Sequence, residues 1–163
     1  MYTMNKILWK LVNKYPERSR VISRDGDPYL HRFYITKPTK NTDGSWAEPK
    51  LFGLYLHYFY RGDSDLDMHN HPWKWALSWI LSGHYFEERE EDNKYQYNVL
   101  MAGDFNFISH KCFHRIELPT VDRKPVWTLF LAGPKTSIWG FKDHVTGEFT
   151  DSKTYLTARG EDV

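Results

Sequence analysis

One cysteine in 163 residues, Cys112, leaves no partner for an internal disulfide, so no oxidised framework staples this chain and a reducing, cytoplasmic setting is expected. Long apolar runs are missing as well. None approaches the ~20 residues a membrane-spanning helix needs, and Lys10, Asn13 and Lys14 interrupt the N-terminal cluster Ile7, Leu8, Leu11, Val12 that would otherwise imitate a signal-peptide core. Charge of one sign is in short supply: 22 Lys plus Arg against 21 Asp plus Glu give a formal +1. The whole-molecule field therefore favours neither nucleic acid nor an anionic membrane, and no partner of either kind is expected. There is no phosphate-cradling glycine loop, no serine nucleophile elbow, no zinc-finger cysteine pair and no helix-borne HExxH. The acidic loop "GDSDLD" (62–67) lacks the later glycine and glutamate of a calcium hand.

What the chain has in excess is aromatic side chains, 17 % of residues, with seven Trp and eleven Tyr. Rings favour pleated, half-buried surfaces and ligand-pocket walls, which points to a β-rich domain. Residues 5–14, "NKILWKLVNK", place their apolar side chains at helical spacing, and Pro16 stops the helix. Beyond it the period shifts towards two. Strands are predicted over 29–35, 50–61, 74–88, 94–100, 103–109, 114–118, 126–133 and 137–141, separated by turn clusters such as "KNTDGS", "EDNK", "AGD" and "TVDRKP". With no second helix, no repeat and no linker, the pattern predicts one all-β domain over 1–163. Its parts are a helix and lead-in (1–25), a barrel or sandwich (26–145) and a solvated tail (146–163).

The eight histidines carry the chemistry. In "MHNHPW" (68–73), His69 and His71 share one face of an extended strand, about 7 Å apart at Cα. In "HRIEL" (114–118), alternation turns His114 to the side of Ile116 and Leu118, with Arg115 and Glu117 outward. A buried neutral imidazole needs a hydrogen-bond partner, and three directed into one interior favour a shared metal ion over three separately satisfied core histidines.

These spacings resemble the two motifs of the cupins. Gly62, six residues, His69, Asn70, His71, four residues, Ala76, six residues and Gly83 follow the first, with one residue added early and Ala76 where the family has glutamate. Gly103, five residues, Ser109, His110, Lys111, two residues, His114, three residues and Leu118 follow the second in frame, without its proline, inner glycine and asparagine. The "HPW" and "LSGHYFEE" stretches look like those of small bacterial and phage cupins. The resemblance covers roughly 50–133 and implies the double-stranded β-helix barrel, preceded here by a short helix.

It further implies a divalent metal on His69, His71 and His114, with Fe(II) first and Mn, Ni or Zn as alternatives. A three-histidine set without the motif glutamate resembles the thiol dioxygenases and related Fe(II) enzymes. That implies an oxygenase acting on a small polar substrate in an aromatic-lined barrel. The alternative is a non-catalytic barrel that sequesters a nucleotide or sugar derivative, with metal absent or structural. Cupins also pair through sheet edges, so a homodimer is one expected assembly.

Candidate substrate-binding residues are His57, on a strand face with Tyr55 and Phe59, Arg61 at a strand end, Trp73 beside the histidines, and His110 in the turn before His114. Glu87 or Glu88 is a candidate to orient a histidine, or to serve as an acid or base if its strand curls back over the mouth of the barrel. Trp75 and Trp79 share the parity of His71 only if Pro72 introduces no bulge. Cys112 reads as a small buried thiol, and His31, His84 and His144 as surface or structural. No catalytic acid or base is assigned.

Overall fold

The computed structural model describes residues 2–36, 39–40, 42, 46–47, 52–119 and 124–161. The amphipathic stretch at the N-terminus forms helix α1 (Tyr2–Lys14), followed by a single 3-10 turn at Pro16–Arg18. Leu8, Trp9 and Val12 of α1 pack on Phe33, Leu56, Tyr58 and Trp127, and the Trp9 ring meets the Trp127 ring edge-on at 5.3 Å. Met4, Ile7 and Leu11 stay exposed on its far side. Among the described residues no helix is long and apolar enough to cross a membrane.

The strands are β1 (Ser19–Arg24), β2 (Asp27–Tyr34), β3 (Thr39–Lys40), β4 (Trp46–Ala47), β5 (Gly53–Phe59), β6 (Met68–His69), β7 (Trp75–Ser82), β8 (His84–Glu91), β9 (Lys94–Met101), β10 (Phe105–Ser109), β11 (Phe113–Glu117), β12 (Val126–Ala132), β13 (Gly140–Lys142) and β14 (Phe149–Asp151). They make two six-stranded antiparallel sheets, β1-β2-β5-β12-β7-β10 and β14-β13-β6-β11-β8-β9, beside a small β3-β4 ribbon. The inward faces supply apolar cores, one built on Tyr34, Tyr55, Trp73, Ile108 and Phe130, another on Leu30, Phe59, Ile80, Tyr85 and Ile116. Alternation divides core from surface in β7 and β10, whereas β5 and β12, covered on their outer face by α1, are buried on both sides.

Several local expectations are corrected. The run 74–88 is two strands, because Gly83 takes φ +80 and sends β7 into the first sheet and β8 into the second. The lead-in contains β1, in register with β2, whose interior positions alternate Arg20, Ile22, Arg24. The tail is also ordered in part. Residues 149–151 pair with β13, and a second helix, α2 (Ser152–Ala158), is capped by the Asp151 side chain accepting from the Thr154 amide. Leu156 of α2 is buried, and beyond it Glu161 pairs with Arg24 at 2.8 Å. That anchorage is tertiary, which is why the polar string "TARGEDV" reads as a tail. The strand expected at 137–141 is confined to 140–142, and the turns "KNTDGS" and "TVDRKP" lie mostly outside the described residues.

Candidate metal centre and its cavity

His69 ends β6, and β6 pairs with β11 so that His69 stands directly opposite His114. His71 lies two residues further on. The intervening Asn70 is buried and ties this segment to β13: its amide donates to the Gly140 carbonyl (3.1 Å), and its Oδ1 accepts from the Gly140 amide (2.9 Å). The three rings converge. Each offers a nitrogen such that all three lie within 4.8 Å of one another, and the Nε2 atoms of His71 and His114 are 2.9 Å apart.

Nδ1 of His114 lies 2.7 Å from Oε1 of Glu87, on the neighbouring strand β8. Glu87 is buried and also accepts from Asn106 Nδ2 at 2.7 Å. Burial pushes its carboxyl up, but the hydrogen bonds from His114 and Asn106 prevail, so its pKa lies below the ordinary carboxylate value. An ionised Glu87 fixes the proton of His114 on Nδ1, which leaves the Nε2 lone pair facing His71. Burial lowers His69 to about 4, partly opposed by Asp63, and burial together with the other two rings holds His71 well below 6.5. Neutral imidazoles with lone pairs at one point suit a divalent first-row ion. Two nitrogens bound at about 2.1 Å and at right angles stand about 3 Å apart, close to the spacing seen here.

The cluster opens into a cavity of about 370 Å³. Trp73 forms one wall, buried and stacked on His71 (centroids 5.4 Å, 28°), with Phe130 against both rings. Tyr34, Phe59, Tyr85 and Trp139 add further aromatic surface, and Ser78 and Asp63 add polar groups.

No protein-family model matches the chain, and no curated protein matches it in sequence. Solved structures do match in shape. Hydroxypropylphosphonic acid epoxidase from S. wedmorenis aligns at TM-score 0.51 and 8 % identity over 72 % of this chain and 56 % of its own. Oxalate decarboxylase from Lactobacillus farciminis aligns at 0.54 and 10 % identity over 88 % and 36 %. Streptomyces albus HEPD, in a structure with its substrate 2-hydroxyethylphosphonate and Fe(II) bound, aligns at 0.54 and 15 % identity over 90 % and 30 %. The chain has the cupin fold. It spans between about a third and a little over half of these proteins' lengths.

In this fold the motif glycines have physical reasons. A Cβ at Gly62 would lie 2.6 Å from the Ile116 carbonyl oxygen, whereas Gly83 and Gly103 adopt φ +80 and +105. The motif-glutamate position, Ala76, is buried in the core near Trp73. Of the candidate substrate-binding residues, His57 and Trp73 line the cavity. Arg61 and His110 do not: Arg61 donates to the Arg24 carbonyl, and His110 is exposed on a turn, its carbonyl accepting from Asn70.

Trp79 faces outward at 40 % exposure and stacks on Phe105, and Trp75 shares its outward parity, because the parity of His71 is lost between Trp73 and β7. Arg115 takes the face opposite His114, as the alternation predicts, and is buried there by Glu88 (2.7 Å) and Glu117. Cys112 is buried, and burial raises its thiol to about 12, so it is no nucleophile. Arg20 and Arg32 also line the cavity, and neither is among the residues expected there from the sequence. The available signal was a charged residue at an apolar parity, Leu30, Arg32, Tyr34 on β2.

Proposed function

We propose that this cupin is a mononuclear non-haem metalloenzyme, an oxygenase or dioxygenase acting on a small polar substrate, with His69, His71 and His114 holding a divalent ion. Fe(II) is the first choice and Mn, Ni or Zn the alternatives. The observation that carries the reading is the meeting of three imidazole nitrogens at one point, one of the rings oriented by a buried carboxylate. An ion there supplies Lewis acidity and open positions for dioxygen or substrate. The residues of the chain do the rest. Glu87 keeps the His114 proton on Nδ1, Trp73 and Phe130 cover one side of the histidines, and a cavity of about 370 Å³ suits a small-molecule substrate. Among the matched structures, HEPD holds Fe(II) with its phosphonate substrate, which supports the choice of metal.

A second reading, a non-catalytic binding barrel, draws on one observation. The carboxylates at the cavity are committed, Glu87 to His114 and Asn106 and Asp63 to the Ile116 amide (2.6 Å), so among the described residues no carboxylate there is free for acid-base work. Metal analysis of protein purified without chelator, beside a His69→Ala, His71→Ala double variant, tests the first reading. Near-stoichiometric metal in the wild type alone, with oxygen uptake on adding substrate, is expected. Equally little metal in both proteins overturns it, and ligand binding undiminished by metal removal favours the second.

A further inference from the structure

β1 and β2 run antiparallel with Arg20 directly opposite Arg32, and both side chains line the cavity. Like charges directly opposite on one sheet face repel, and the repulsion grows where water is scarce. Among the described residues no ion pair joins either guanidinium to a carboxylate. The other cavity cations are Arg24, paired with Glu161 at 2.8 Å, and Lys135; the one lining carboxylate, Asp63, accepts from the Ile116 amide.

Arg32 is also held in place. Its Nε donates to Nε2 of His57 (3.1 Å), the residue opposite it on β5, and its guanidinium carbon sits 5.3 Å from the Tyr55 ring centroid. His57 is itself fixed, its ring stacked on Phe130 at 5.0 Å and on Tyr55 at 5.9 Å. One of the five guanidinium N–H groups of Arg32 is used in this bond, so its terminal donors remain for a partner. The row Arg20, Arg32, His57 belongs to the sheet facing the one that carries His69 and His114, and Phe130 touches both His57 and His71.

We propose that Arg20 and Arg32 form an oxyanion clamp, so that the substrate is a small acid whose carboxylate or phosphoryl-type group docks on this pair while the rest reaches towards the three histidines. The proposal deepens the metalloenzyme reading and rests on it for calling the anion a substrate. Two guanidiniums with no carboxylate partner among the described residues are tolerated on one wall because an oxyanion accepts from both at once, and His57 acts as a positioning residue for Arg32.

The test uses chelator-treated protein, so that no anion is held by metal, and titrates inorganic phosphate and, separately, malonate by calorimetry at low salt. Wild type binds at least one of the two, and preference between them reports a phosphoryl or carboxylate headgroup. Arg32→Gln and Arg20→Gln each weaken binding by about tenfold or more, while Lys153→Gln, on exposed α2, binds as wild type does. Without anion, Arg20→Gln unfolds at the wild-type temperature or above it, because the repulsion is relieved, and its phosphate-induced thermal shift is lost. Absence of binding to either anion in the wild type, or wild-type affinity in both arginine variants, overturns the clamp. Metal content is measured on the native protein, before the chelator is added. Phosphate binding without metal in the native protein supports the clamp and sinks the metalloenzyme reading alone, and metal without anion binding does the reverse.

Discussion

Nδ1 of His114 and Oε1 of Glu87 stand 2.7 Å apart, with 1 % and 0 % of the two residues exposed. This contact sets which nitrogen of His114 is free to bind an ion, so it links a carboxylate that touches no solvent to the electronics of the site. Glu87→Gln keeps the shape but removes the charge. Metal affinity is expected to fall about 10- to 100-fold with the fold intact. Glu87→Ala, which strands the His114 and Asn106 donors, is expected to cost about 3 kcal/mol or more in chemical denaturation. Unchanged metal affinity in Glu87→Gln would show that the contact only packs the core.

Asn70 fixes the segment between two of the histidines by its bonds to Gly140. Asn70→Ala leaves the buried Gly140 amide without its acceptor and is expected to cost about 1–3 kcal/mol. Metal affinity should drop as well, because His69 and His71 flank the loosened residue. Asn70→Asp, which keeps an acceptor for the Gly140 amide, should lose less of both. Urea denaturation and a competitive metal titration read the two effects separately.

The buried histidines predict an acid limb in stability. Burial first, then the charge of Arg32, holds His57 well below 6.5, and burial lowers His69 to about 4. The unfolded chain takes up protons that the folded chain refuses, so stability is full above about pH 6.5 and falls as the pH drops from there towards 4. The loss is about 1.4 kcal/mol per pH unit for each such imidazole. In metal-free protein, His57→Gln should flatten the limb by about one proton, measured as unfolding free energy at pH 7.5, 6 and 5. Parallel limbs would mean that His57 is protonated in the folded state.

Gly83 and Gly26 share φ +80, but only at Gly83 does a Cβ meet anything, the Pro125 carbonyl oxygen at 3.0 Å and Val126 Cγ2 at 3.1 Å. Alanine at either position carries the left-handed penalty of about 1 kcal/mol. Gly83→Ala should cost more than Gly26→Ala by the price of displacing the chain before β12. Equal melting temperatures for the two variants would leave the close approach without energetic weight.

The cupin barrel was legible in residues 50–133 because a strand that buries one face must alternate, and the alternation survives in "LYLHYF", "FNFIS" and "VWTLFLA". The convergence of His69, His71 and His114 was legible for the same reason, aided by motif spacing. Trp75 and Trp79 were not, since one break in extended backbone after Pro72 reverses every later side chain. Nor was the order of the C-terminal residues, which comes from Leu156 and Glu161 meeting distant partners. Arg61 looked like a substrate ligand from its place at a strand end, and the structure spends it on the Arg24 carbonyl.

By itself, then, the sequence determined periodicity, the pairing-free thiol, the even charge balance and the two histidine motifs, all of which depend on neighbours a few residues away. Only the tertiary structure decided that Glu87 sits behind His114, that Arg20 lies opposite Arg32, and that His57 locks a guanidinium. Those contacts join strands far apart in the chain, and register across a sheet is set by how the whole core packs rather than by any stretch of residues within it.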